Sequence, residues 1–205
     1  MTYSQVFIDK HREFNVGHDW WDSTYDNFNH ICEILGIDLD KNEPSFSGFW
    51  SQGDGASWTG SYSAIAATRG IVVMTYDLAP QRIREYAPKD EELHRIADEL
   101  CLLSRTAFPA YAVIGRQNSR YVHSNTMCAD TLELCVGDEW YDGYDEESGV
   151  AEEVVDHIEE TLQGLFRDLA DWLYTTLEKE HEYLTSDEAV IESLKANEIE
   201  EDEDL

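Results

Sequence analysis

The chain has 205 residues, of which 42% are hydrophobic and 12% aromatic, so it carries enough apolar surface for a packed core and is not a disordered polyanion. Its 44 acidic residues against 14 Lys and Arg give a formal net charge of −30. Such a surface repels phosphates, which excludes direct binding to DNA, RNA or anionic membrane as its main task. No apolar run approaches the ~20 residues that span a bilayer. The opening Met1-Thr2-Tyr3-Ser4-Gln5 lacks the basic-then-apolar pattern of a secretory signal, so a cytoplasmic protein is expected.

Residues 2–14 fit a short strand or a short helix equally. From Asp19 a helix is signalled, with Asp19 as N-cap, Gly36 just past its end, and Trp21, Tyr25, Phe28, Ile31, Cys32 and Leu35 on one face. Residues 45–62 read as a β-hairpin. Phe46, Gly48 and Trp50 alternate on its first strand, Trp58, Gly60 and Tyr62 on its second, and Gln52-Gly53-Asp54-Gly55 forms the turn. Ile71–Met74 is a short apolar run, strand or helix. Pro88 and Asp90 open a helix that runs through Leu103. Two strands follow, Ala110 to Ile114 and Arg120 to Leu134, with Gln117-Asn118-Ser119 between them. An acidic, aromatic loop spans Gly137 to Gly149, and the longest helix covers Val150 to Tyr183 with Val155, Ile158, Leu162, Leu165, Leu169 and Leu177 along its apolar stripe. Ser186 is placed to cap a last helix that ends near Asn197. The expected fold is therefore α+β: a small antiparallel sheet built from hairpins at about 45–62 and 110–135, packed with helices that include one long acidic C-terminal helix. Residues 1–197 are expected to form one domain, and 198–205 a flexible acidic tail.

Four groups of residues invite a functional reading. In the first, the glycines of Ser47–Trp58 let backbone amides approach a ligand, and Ser47, Gln52 and Asp54 supply polar contacts. No Walker or dinucleotide pattern is present, and a plain hairpin with Trp50 and Trp58 in the core competes with a pocket. His123, read as lying on a strand beside Asp54, is a candidate acid or base; a structural, hydrogen-bonded histidine is the plainer reading. Asp138, Asp142 and Gly143 match three places of a calcium loop, but Trp140 and Gly149 break the pattern, so no metal site is expected. Cys32, Cys101, Cys128 and Cys135 have no metal-finger spacing and read as free thiols. With no catalytic signature, no enzyme activity and no cofactor are expected.

The fourth group is the acidity itself. Residues 1–129 hold 17 acidic and 11 basic residues, a net of −6; residues 130–205 hold 27 and 3, a net of −24. An ordinary solvated helix face and adaptation to high salt both compete with a binding surface here, although adaptation to high salt should acidify the first 129 residues too. Glu152, Glu153, Asp156, Glu159 and Glu160 lie opposite the apolar stripe of the long helix. Five carboxylates at a rise of ~1.5 Å per residue approach the linear charge density of duplex DNA, about one per 1.7 Å. Together with Asp138, Glu139, Asp142, Asp145, Glu146 and Glu147 of the loop before it, this region is the expected surface for a basic protein partner.

The stretches Phe46-Ser47-Gly48-Phe49-Trp50-Ser51-Gln52-Gly53-Asp54-Gly55-Ala56-Ser57-Trp58-Thr59-Gly60, Arg120-Tyr121-Val122-His123-Ser124, and Phe166–Leu169 through Trp172-Leu173-Tyr174 to Tyr183–Val190 resemble a family of small bacteriophage and prophage proteins. Members are often labelled antitoxin of a toxin–antitoxin stability system. The resemblance implies a mobile-element origin and a bacterial cytosol, and it supplies no catalytic residues. The leading expectation is a phage-encoded acidic inhibitor that mimics DNA and binds a basic nucleic-acid-binding host defence protein of restriction or CRISPR type. The alternatives are an antitoxin that neutralises a basic toxin, and a small-molecule-binding protein or enzyme that uses the 47–58 hairpin with His123. A homodimer is compatible with all three.

Overall fold

The structure is a computed structural model that describes residues 3–40, 44–63, 65–68, 71–106, 108–117, 121–136, 139–142 and 150–201; for 65–68, 71–75, 106, 108–117, 132–136 and 140–142 only the backbone is described. The helices are α1 (Gln5–Lys10), α2 (Asp22–Leu35), α3 (Thr75–Tyr86), α4 (Glu91–Thr106), α5 (Glu152–Leu184) and α6 (Asp187–Ala196). The strands are β1 (Ile37–Leu39), β2 (Ser45–Phe46), β3 (Ala56–Ser57), β4 (Gly60–Tyr62), β5 (Ile65–Thr68), β6 (Ile71–Met74), β7 (Phe108–Gln117), β8 (Met127–Val136) and β9 (Glu139–Asp142). The fold is α+β. Its main sheet is antiparallel with order β1-β4-β7-β8-β9, and β2-β3 and β5-β6 form two small ladders. The chain divides into two compact units, Asn27–Tyr174 and a second made of Met1–Asp26 with Thr175–Leu205.

The larger unit is organised around α5. Val155, Ile158, Leu162, Leu165, Phe166, Leu169, Ala170 and Leu173 are all buried along one stripe of it, as the three-and-four spacing requires. Trp58 is fully buried; its indole N–H donates to the Phe166 carbonyl at 3.3 Å and its ring meets the Phe166 ring edge-on at 4.9 Å. Tyr62 on β4 is equally buried, with its hydroxyl 2.7 Å from the Ser104 hydroxyl of α4. Asp90 caps α4 by accepting from the Leu93 N–H at 3.0 Å, and its other oxygen accepts from the Trp172 indole at 2.8 Å, which ties α4 to α5. Gly60 is required where β1 and β4 converge, because a Cβ there would lie 2.5 Å from the Asp38 carbonyl oxygen.

Several boundaries differ from the sequence expectation. Helix α2 starts at Asp22, because Asp19 sits at φ 40° and accepts from the Asp22 N–H through its carbonyl. Only residues 45–46 and 56–57 pair within the first hairpin; after Trp58 the chain enters the main sheet as β4. Strand β8 begins at Met127 rather than Arg120, so His123 belongs to a loop with a 3-10 turn over Ser124–Thr126. Helix α3, with Pro80 inside it, had no sequence signal.

In the smaller unit Tyr3, Ile8, Val190 and Leu194 form a core, flanked by Phe7, Ile191 and Ile199. Ser4 caps α1 and Ser186 caps α6, the latter accepting from the Ala189 N–H at 3.2 Å. Arg12 pairs with Asp9 and Asp187 and donates to the Thr185 carbonyl. The start of the expected tail is engaged: Tyr3 donates to the Ile199 carbonyl at 2.8 Å, and Ser4 holds Glu201.

Candidate functional site

Glu152, Glu153, Asp156 and Glu160 are exposed on α5, opposite the buried stripe. At 1.5 Å per residue they occupy about 12 Å of axis, roughly one charge per 3 Å, close to the ~3.4 Å between phosphates along one DNA strand. Among the described residues no basic side chain pairs with any of the four. Elsewhere the arginines absorb carboxylates: Arg84 holds Asp98, Arg105 holds Asp77, and Arg95 reaches Glu92, Glu99 and Asp168. The hydrogen bond from Arg95 holds the Glu92 carboxyl below its usual range, and that from Arg84 does the same for Asp98.

Glu159 does something else. It is half-buried, and its carboxylate accepts from the Thr131 N–H at 2.7 Å. Strand β9 pairs with β8 over Glu139–Asp142 and Glu133–Val136. Earlier on β8 and in the turn before it, side chains of α5 reach the backbone: Glu159 meets Thr131, and eight residues on Arg167 donates to the carbonyls of Met127 and Asn125, both at 3.3 Å. Glu159 is thus a structural ligand of the sheet, unlike the four exposed acids beside it. Of the preceding acidic stretch, Glu139 is exposed on β9 and Asp142 is placed by backbone alone; Asp138, Asp145, Glu146 and Glu147 lie outside the described residues.

The Ser47–Trp58 hairpin is brought together with the His123 loop, but as a packed corner. The Ser47 hydroxyl accepts from the Gly55 N–H at 3.1 Å and lies 3.3 Å from the Val122 carbonyl. A Cβ on Gly55 would stand 2.9 Å from the His123 Cα and 3.1 Å from its ring, so glycine is needed for this approach. His123 accepts the Asn125 N–H on Nδ1 at 3.0 Å, which leaves Nε2 to carry the proton in the neutral ring. Asp54 accepts from the Ser51 N–H at 2.7 Å, and Gln52 is exposed. These bonds account for Ser47, Asp54 and His123 as a turn and its support. Trp50 departs from the expected core position: it is 68% exposed, at φ 69°, with its ring on Phe49, and Phe49 packs in turn on Phe46 and Tyr174. Tyr121, in the loop that Ser47 contacts, is 60% exposed. The flanking Gly48 and Gly53 were the only sequence hint of this strained turn.

Cys32 and Cys101 are buried free thiols and Cys128 a half-buried one; burial pushes the first two upward in pKa and makes them poor nucleophiles. Among the described residues no group of three His, Cys, Asp or Glu side chains could hold a metal ion, and no helix is long and apolar enough to cross a membrane. No curated protein and no solved structure matches the chain. A family described as a domain of unknown function, DUF8835, matches residues 20–187, which takes in the hairpin, the main sheet and all of α5. The chain belongs to the DUF8835 family.

Proposed function

We propose that this protein is a binding protein rather than an enzyme, and that it occupies the nucleic-acid site of a basic protein by presenting carboxylates where that protein expects phosphates. The carrying observation is the exposed row Glu152, Glu153, Asp156 and Glu160, unpaired with any described base and spaced like the phosphates of one strand. A rigid helix holds these charges at fixed intervals, so little ordering entropy is lost on binding. The resemblance to phage proteins makes a host defence protein of restriction or CRISPR type the natural first partner; a basic toxin is the alternative within the same electrostatics.

The test immobilises the protein, loads bacterial lysate at low salt, and elutes either with duplex DNA or with salt. Proteins released by DNA should be absent from a column that carries Glu152→Gln, Glu153→Gln, Asp156→Asn and Glu160→Gln together. Capture that ignores both DNA and these substitutions would place the function elsewhere.

A further inference from the structure

We infer that Trp50 is a second contact on the same partner, taking an arginine side chain against its ring; this rests on the proposed basic partner and extends it. Three observations converge. Trp50 is largely exposed and held in a left-handed backbone conformation that bulky residues avoid, and such outliers concentrate where side chains serve a ligand. Its position is braced from below, since Phe49 lies 5.6 Å from it and 5.5 Å from Tyr174 of α5. Finally, Tyr174 follows Asp156 by eighteen residues, or about five helical turns. Asp156 and Tyr174 therefore project from the same side of α5, roughly 27 Å apart along its axis. The acidic row and the Trp50 loop thus line one flank of a single helix, a span that fits one protein interface of standard size.

The charge of the molecule selects the occupant. At a net −30, a cationic side chain is drawn to this flank and an anionic base or phosphate is repelled. An indole face attracts a guanidinium through its quadrupole, more strongly than other rings do. Tyr121 and Gln52 are both exposed on the two loops that Ser47 joins.

The test uses a fluorescent twelve-residue peptide of alternating Arg and Gly. At ~3.3 Å per residue it can span the separation. Binding is measured by anisotropy over a salt series for the whole chain, Trp50→Ala, Trp50→Phe and the four-carboxylate variant, each first checked for an unchanged unfolding midpoint. Trp50→Ala should weaken binding about three- to tenfold with no change in the salt slope, and Trp50→Phe should recover part of the loss. A four-residue Arg-Gly peptide, too short to reach both, should not register the Trp50 substitution on top of the acidic row. If Trp50→Ala binds like the wild type while the four-carboxylate variant does not, the tryptophan contact is wrong and the acidic row stands. If neither substitution alters binding, both readings fall. A Trp50-dependent affinity for a neutral oligosaccharide such as maltoheptaose, with no effect on the peptide, would overturn the arginine assignment in favour of a sugar.

Discussion

Trp50 and Trp58 stand eight residues apart and have opposite roles. Trp58 is enclosed by α5 and donates to it, so Trp58→Ala should lower stability by about 3–5 kcal/mol in urea unfolding. Trp50 is 68% exposed, and its left-handed backbone stores about 1–3 kcal/mol. Glycine loses roughly 0.5–1 kcal/mol in chain entropy. Trp50→Gly should therefore leave the urea midpoint unchanged or raise it; a clear drop would mean that the ring contributes to folding. Tyr62 provides a pH signature. Burial raises its hydroxyl pKa to about 12, against a smaller downward pull from Ser104. Because the folded value lies above the unfolded one, the stabilisation is complete below ~pH 10 and is lost as pH rises from there towards 12. The loss amounts to roughly 3 kcal/mol. Urea midpoints between pH 9 and 12 should fall in the wild type and fall much less in Tyr62→Phe, after the latter's lost hydrogen bond is allowed for.

At the scale of elements, α5 does three things: it buries a stripe, exposes an acidic row, and sends two side chains to the backbone of β8 and the turn before it. Removing Glu159 leaves the Thr131 N–H without its acceptor, so Glu159→Ala should cost about 1–3 kcal/mol. Glu160→Ala should change stability by less than about 0.5 kcal/mol. Paired thermal melts check this, and equal shifts would contradict the assigned roles. The stripe and the row were legible in the sequence because helical periodicity is local; so were the Ser186 cap and the Asp90 start of α4. The role of Glu159 was not, because it depends on which strand the helix packs against, a contact between residues 28 apart in the chain. Helix α3 was hidden by Pro80 and by its polar composition. The exposure of Trp50 was hidden because alternation assigned it to a strand that ends at Phe46. Likewise the contacts of Ile199 and Glu201 with Tyr3 and Ser4 join chain ends nearly two hundred residues apart. Truncation from Glu198 should accordingly lower the melting temperature, whereas truncation from Asp202 should preserve those contacts.

For the whole molecule, the distribution of charge matters more than its sum. Arg12, Arg84, Arg95 and Arg105 are spent on carboxylates of their own neighbourhood and on Asp168 and Asp187, while no described base pairs with the acids at the start of α5. Like charges this close repel, so neutralising the row should not destabilise the fold and added salt should stabilise the wild type slightly more than the variant. In the proposed function, such an arrangement gains its advantage when a cationic surface meets it. On the proposed reading Glu152, Glu153, Asp156 and Glu160 carry binding through their charge. The most direct test is the dissociation constant of a DNA-eluted partner, measured from low to high salt for the wild type and the four-carboxylate variant, with circular dichroism on both. The wild type should show a steep salt dependence, and the folded variant a shallower slope with affinity lower by orders of magnitude at ~0.15 M salt. A folded variant that matches the wild type in both affinity and slope would contradict it.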